Sequence, residues 1–167
     1  MKYKLPYFEE IDLNQLEEYY NVEIDNKSHK IGIDLNFKAK KIEAQLFDKV
    51  KKIIENIESE DSKNRTYITS DFKDENGDAV KEFLEFHIEE LAEELSGIVN
   101  FEDKSNSPEK QLLEKLKLVR IGFYPDGEYG TDSFIIFDYT VDRELSDQII
   151  VVNVDKEGKL INLAWES

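Results

Sequence analysis

Cysteine is missing from the 167-residue chain, and histidine is nearly so, with two residues. The first absence excludes disulfides, thiol nucleophiles and cysteine-ligated metal sites. The second leaves only His29 and His87 as imidazole ligands, too few for a metal site of the usual kind. The glycines do not form a phosphate-binding loop, and no Gly-x-Ser-x-Gly motif occurs. We therefore expect no cofactor and no metal, and we find no catalytic motif.

The sequence also has no apolar stretch of transmembrane length. Its first residues, MKYKLPYFEEID, contain no apolar segment typical of a secretory signal. These features predict a cytoplasmic protein that does not bind membranes.

Basic residues are in the minority: 22 Lys and Arg stand against 38 Asp and Glu, a formal net charge of −16. Such a charge repels nucleic acid phosphates and anionic membranes. It favours basic proteins or cations as partners. The alternative is that the acidity simply keeps the protein soluble.

The best apolar alternation in the chain lies between Leu118 and Trp165 and predicts four short strands joined by turns. Successive side chains of a strand point to opposite faces, so residues of one parity share a face. That face is apolar along all four strands, and we expect it to pack against helices. Its members are Val119, Ile121, Phe123; Ile135, Phe137, Tyr139, Val141; Ile150, Val152, Val154; and Ile161, Leu163, Trp165.

The opposite parity of the same strands mixes apolar side chains with polar ones such as Arg120, Asp138 and Asn153. A face of this composition is either covered by other parts of the chain, solvated, or used for contact with a partner or a second copy. An oligomer formed through this sheet face is one of the alternatives.

The N-terminal two-thirds combine a second alternating segment with helical periodicities. The pair Asp12 and Gln15 resembles a capping box, and Asp78 is a candidate N-cap. The predicted elements are a helix over 13–19, a hairpin over 22–37, a helix over 41–57, a loop over 59–65, a short helix from Tyr67, a helix over 79–98, and a short helix starting at Ser107-Pro108.

This order of elements predicts a single α+β domain spanning residues 1–167. We expect an antiparallel sheet, formed by the N-terminal hairpin and the C-terminal four-strand meander, with the helices packed mainly on one face.

Three residues are candidates for a pocket between helix and sheet. His87 lies on the apolar side of its predicted helix, with Glu90 one turn further on. Arg120 and Asp138 share a face of adjacent strands and could form a cross-strand ion pair or bind a ligand. The simpler alternative is that all three are structural.

The strongest functional feature is an acidic surface predicted on the helix over 79–98. Glu82, Glu85, Glu89 and Glu93 recur three or four residues apart, and Glu90 and Glu94 flank them. Such a face can raise the association rate with a basic protein and select partners. The alternative is an ordinary solvated helix face.

The segments VKEFLEFHIEELAEEL, LVRIGFYPDG and FIIFDYTVDRELSDQIIVVNVDKEG resemble a family of small acidic bacterial proteins of unknown function. The resemblance implies an α+β fold and no catalytic motif. By charge and size alone, the chain is similar in style to immunity proteins, which neutralise toxin domains.

Together these features predict a non-enzymatic protein-binding module, with an immunity-type inhibitor of a basic partner as its specific form. The alternatives are an enzyme or small-ligand-binding protein with a pocket near His87, and a structural or oligomeric module.

Overall fold

The computed structural model describes residues 1–127 and 132–167, and this part of the chain has an α+β fold. A two-stranded sheet, a six-stranded sheet, four α-helices and one 3₁₀ turn make up its regular structure. The elements are β1 (Lys2–Lys4), β2 (Glu10–Asp12), β3 (Tyr19–Asn26), β4 (His29–Asn36), α1 (Ala44–Glu55), α2 (Ile57–Lys73), α3 (Ala79–Glu90), α4 (Pro108–Lys115), β5 (Lys117–Phe123), β6 (Ile135–Thr140), β7 (Ile149–Val154) and β8 (Leu160–Glu166).

The large sheet has its strands in chain order, from β3 at one edge to β8 at the other. The predicted hairpin and the predicted meander are both present and belong to this one sheet. They meet through β4 and β5, which are parallel, with Gly32 opposite Arg120 and Leu35 opposite Phe123. The prediction of a purely antiparallel sheet was therefore wrong. The helices intervene between β4 and β5, and a long crossover of this kind returns the chain in the same direction.

One face of the large sheet, which we call the helix face, carries the apolar core. It includes Ile33, Ile121 and Phe137, which are fully buried. Helices reach this face at several points: the Tyr139 hydroxyl donates to the Asp61 carboxylate of α2 at 2.7 Å. The rings of Phe86 in α3 and Trp165 in β8 lie 5.6 Å apart.

Two irregularities change which side chains reach the helix face. The register shifts between Leu118 and Arg120, so that Leu118 lies opposite Tyr139 and is 1% exposed. The shift places Leu118 in the core in the position predicted for Val119. A second shift lies in the β7–β8 pair, and Ile161, also predicted to face the core, is exposed. Bulges of this kind cannot be seen in a simple alternating pattern.

The predicted helix over 13–19 is wrong, and an irregular turn leads from β2 to β3 there. The Asp12 carboxylate accepts a hydrogen bond from the backbone N–H of Asn14. This bond stabilises a local turn, which is an alternative to the helix. Leu13 and Leu16 are buried in this turn and belong to the core. Their spacing also fits a helix, which explains the wrong prediction.

The predicted loop over 59–65 is also wrong, because α2 is continuous from Ile57 to Lys73. The segment is polar and its apolar periodicity is weak. Its inward side is formed partly by polar groups: Asn64 is buried, and the Asp61 carboxylate accepts hydrogen bonds from Tyr139 and Arg65. Hydrophobic periodicity alone does not detect such a helix.

The predicted helix over 79–98 is shorter than expected, since α3 ends at Glu90 and a 3₁₀ turn covers Glu94–Gly97. Asp78 is the N-cap residue of α3, as predicted, but its side chain makes no cap bond, and the backbone N–H of Val80 donates to the Asp71 carboxylate instead. The start of α4 is as predicted, with Pro108 in the first turn and the Ser107 hydroxyl accepting from the N–H of Lys110.

Candidate functional site

His87 lies on the inward side of α3 and is 0% exposed. Its Nδ1 is 2.8 Å from the carbonyl oxygen of Phe83, so Nδ1 donates this hydrogen bond, and in the neutral imidazole Nε2 is then the unprotonated nitrogen. The rings of Phe83 and Phe86 lie 4.3 and 5.4 Å from the imidazole, and Nε2 has no hydrogen-bond partner within the described ranges. Burial lowers the pKa of His87, while the bond to Phe83 opposes that shift. In this structure the imidazole is not accessible to a substrate.

Glu90, the predicted partner of His87, is exposed to solvent. The two side chains therefore belong to different environments, one in the core and one on the surface. The predicted acid–base or metal-ligating pair is not assembled.

Arg120 bridges two carboxylates on the other side of the large sheet, which we call the outer face. Its Nε and Nη2 donate to the two oxygens of Asp34 at 2.8 and 2.9 Å, and its Nη1 donates to Asp138 at 3.2 Å. Asp34 and Asp138 are 5% and 6% exposed. The predicted pair of Arg120 and Asp138 is thus present, but the two-pronged contact is made with Asp34.

Asp34 was not predicted as a site residue because its contact depends on the parallel pairing of β4 with β5. Its position between Ile33 and Leu35 marks it only as an outward-facing residue of an alternating strand, where a carboxylate is ordinarily solvated. The sequence therefore carried no signal for its burial or its counter-ion.

The electrostatics of this network favour a charged Arg120. Burial alone would lower its pKa, but the hydrogen bonds to Asp34 and Tyr124 and the nearby carboxylates raise it above the usual value. Burial raises the pKa of Asp138 against the opposing charge of Arg120, and one Asp138 oxygen is buried without a hydrogen bond within the described ranges. The guanidinium lies against Gly122, where a Cβ would be 2.5 Å from Nη2.

A shallow cavity of about 500 Å³ opens on the outer face beside this network, lined in part by Tyr19, Arg120 and Arg143. The donors of Arg120 that point to Asp34 and Asp138 are already satisfied by two carboxylates. An anionic ligand would have to displace them, so the arrangement resembles a structural ion network more than a binding site.

The structure does not bring the three predicted pocket residues together. His87 is buried on the inward side of α3 beside Phe83, whereas Arg120 and Asp138 lie on the outer face of the sheet. The three pocket candidates therefore do not share one pocket, and a site at His87 would be separate from one at Arg120 and Asp138.

The six carboxylates of the predicted acidic surface are all exposed, but they do not lie on one continuous helix. The helix ends at Glu90, and the chain turns at Leu91 before the last two members. In residues 1–127 and 132–167, no ion pair involves any member of the group: Glu82, Glu85, Glu89, Glu90, Glu93 and Glu94.

In the described part of the chain, no three His, Asp or Glu side chains are grouped closely enough to hold a metal ion. Nor is any helix in these ranges both long and apolar enough to cross a membrane.

No family model, curated protein or solved structure matches this chain. The resemblance to a family of small acidic bacterial proteins therefore stays a prediction.

Proposed function

We propose that this protein is a non-enzymatic binding module that docks a basic partner protein through the acidic surface. The observation that carries the proposal is a group of six exposed carboxylates without a cation partner in the described ranges. A basic protein would supply the missing countercharge, and complementary charge raises the association rate and selects among partners.

The cost of this arrangement to folding supports a role in binding. Glu82, Glu85 and Glu89 repeat one charge at helical spacing, which destabilises a helix by a few tenths of a kcal/mol per pair. Glu89 and Glu90 lie in the last turn of α3, where the helix dipole favours cations. Both costs would be relieved in a complex with a basic surface.

In its specific form, the proposal describes an immunity-type inhibitor, in which the basic partner is a toxin domain. The net charge of −16 and the resemblance to small acidic bacterial proteins support this form. The protein would then act by covering the partner's active surface rather than by chemistry of its own.

The test compares two variants of equal net charge. In the first, Glu82, Glu85, Glu89 and Glu93 are changed to Gln; in the control, the exposed residues Glu9, Glu17, Glu18 and Glu43 are changed to Gln. Each protein is immobilised, and partners from the source cell's lysate are captured at low salt and released by rising salt. We expect a basic protein that the wild type and the control retain and that the acidic-surface variant loses.

The captured protein is then assayed for its own activity with each form of the chain. An immunity-type inhibitor abolishes that activity at equal stoichiometry, and the acidic-surface variant does not. Equal retention of the partner by both variants would contradict docking through the acidic surface. A retained partner whose activity is unaffected would contradict the inhibitor form alone.

A second candidate function, a structural or oligomeric module, is supported by one observation. The edge strand β8 carries two exposed apolar side chains, Leu160 at 36% and Ile161 at 41% exposure. An edge strand with exposed apolar residues can pair with another chain. Light scattering at high concentration would show a dimer that Ile161→Lys disrupts, and a monomer at every concentration would remove this candidate.

A further inference from the structure

A groove of about 440 Å³ runs between α2 and α4, and no member of the acidic surface or of the Arg120 network lines it. Its volume lies within the range of pockets that hold small molecules. Four apolar side chains line it, and two of them are core residues at its base. These side chains are Ile68, Phe72, Leu113 and Leu116.

The edge of this groove is basic, in contrast to the chain as a whole. Arg65, Lys73 and Lys110 line it together with a single carboxylate, Glu114. Neither of the two exposed lysines takes part in an ion pair within residues 1–127 and 132–167. Three cations beside an apolar floor are unexpected in a protein of net charge −16.

Arg65 is held in one orientation by its neighbours. Its Nε donates to both oxygens of Asp61, at 3.1 and 3.2 Å, and its guanidinium carbon lies 5.6 Å from the centre of the Tyr139 ring. Within the described ranges, neither terminal guanidinium nitrogen makes a hydrogen bond of its own. The side chain is therefore ordered, with two nitrogens left for a ligand.

Hydroxyl groups extend the polar side of the groove. A neighbouring depression of about 410 Å³ shares Arg65, Thr69 and Lys73 with the groove and is also lined by Ser70. Hydroxyls beside an arginine and a lysine can together satisfy the several acceptor positions of an oxyanion.

We propose that this groove binds a small amphipathic anion. An acyl or aromatic body would lie on the apolar floor, and a carboxylate or phosphate would be held by Arg65, Lys73 and Lys110. The charge of the edge favours an anionic head group, and the apolar floor favours an organic body over a free inorganic ion. The volume suits one small molecule rather than an interface between proteins.

The experiment is a titration of isotopically labelled protein with decanoate and with decyl phosphate, both below micelle formation, followed by NMR. We expect saturable one-to-one binding, with shifts concentrated at Thr69, Lys73, Lys110 and Leu113. Decanol, which has the body without the charge, and acetate, which has the charge without the body, should each bind about tenfold more weakly or worse, because each makes only half of the contacts. The tighter of the two anions identifies the preferred head group.

Two double variants of equal net charge distinguish binding of the anion by the basic edge from general repulsion of the anion by the negatively charged protein. The variant Lys73→Glu with Lys110→Glu reverses the charge at the edge of the groove. The affinity for the amphiphile should fall by about tenfold or more, since each exposed charge contact changes the affinity by up to several-fold. Lys2→Glu with Lys41→Glu changes exposed lysines that do not line the groove, and affinity should stay within about twofold of the wild type. All four positions are exposed, so both variants should fold.

Four results would overturn the proposal. These are no saturable binding of either amphiphile, equal losses in the two double variants, shifts concentrated on another surface, and binding that reversal of the edge leaves unchanged. A dimer that Phe72→Glu dissociates, without binding of either amphiphile, would assign the groove to a second copy of the chain. Binding of an acidic peptide but neither amphiphile would assign it to a protein partner, and either result also overturns the proposal.

Discussion

Arg120 is placed between two carboxylates that would otherwise be buried without a counter-ion. Asp34 and Asp138 come from the strands on either side of β5, and each is less than a tenth exposed. A buried charge that loses its partner keeps its desolvation cost. The network therefore matters for the stability of the protein whether or not it binds anything.

The first prediction concerns this network. Arg120→Met should lower the free energy of unfolding by about 2–4 kcal/mol; Arg120 itself is 31% exposed, so the loss should not exceed the usual range for a broken buried pair. Urea denaturation at neutral pH measures the change. The triple variant that adds Asp34→Asn and Asp138→Asn should recover much of the loss, since it leaves no unpaired charge. A loss below about 1 kcal/mol in Arg120→Met would contradict a stabilising network.

The second prediction is a pH dependence caused by His87. Burial lowers its pKa in the folded state, so below pH 6.5 the unfolded state takes up the proton more readily. Above pH 6.5, His87 should not affect the free energy of unfolding. As the pH decreases below 6.5, the free energy of unfolding should decrease by at most about 1.4 kcal/mol per pH unit.

The comparison for this effect is His87→Leu, which cannot titrate and keeps an apolar side chain beside Phe83. Denaturation curves from pH 8 to pH 5 should diverge, with the wild type losing more stability on acidification. Parallel losses in the two proteins would assign the acid sensitivity to other groups.

At the scale of single elements, α1, α2 and α4 show which helices local sequence patterns can predict. The periodicity of α1 and the Ser107-Pro108 start of α4 are local signals, and both elements lie where they were predicted. The first turns of α2 carry few apolar residues. In the folded chain, Asp61 in these turns accepts hydrogen bonds from Tyr139 and Arg65. These partners include a strand far along the chain, so a short window of sequence cannot show them.

The third prediction concerns the cap of α3. The Asp71 carboxylate accepts a hydrogen bond from Val80 N–H at 3.0 Å, so Asp71→Ala should cost about 1 kcal/mol of stability. Asp78→Ala, at the position that the sequence suggested, should change it by less than about 0.5 kcal/mol. Thermal denaturation of both variants measures the difference. Equal costs would show that Asp78 contributes as much as Asp71.

At the scale of the whole molecule, the net negative charge affects the stability of the fold. A net charge of −16 on one compact chain repels itself. Salt screens this repulsion over about 10 Å at 0.1 M ionic strength. The excess charge should therefore reduce stability most at low ionic strength.

The fourth prediction is that the melting temperature rises with salt. Raising NaCl from about 10 to about 200 mM should increase Tm by a few degrees, since screening on the order of 1 kcal/mol corresponds to about 2–4 °C for a chain of this size. The variant with Glu82, Glu85, Glu89 and Glu93 changed to Gln should show a smaller increase. A Tm that stays constant or falls with salt would contradict a destabilising net charge.

The candidate site could be predicted in part. The exposure of the acidic side chains follows from their polar positions opposite an apolar helix stripe, and the contact of Arg120 with Asp138 follows from strand parity. The contact with Asp34 and the separation of His87 from Arg120 could not be predicted, because they depend on which strand lies beside β5 and on which face α3 packs.

By itself, the sequence determined the α+β class, the hairpin, the meander and the strong negative charge, because alternation, helical periodicity and composition are local properties. Only the tertiary structure decided that β4 and β5 are parallel, that 59–65 is helical and that a basic groove lies between α2 and α4. These features depend on contacts between residues far apart in the chain. Such contacts contribute to stability only when the whole chain is folded. A short segment of sequence therefore cannot predict them.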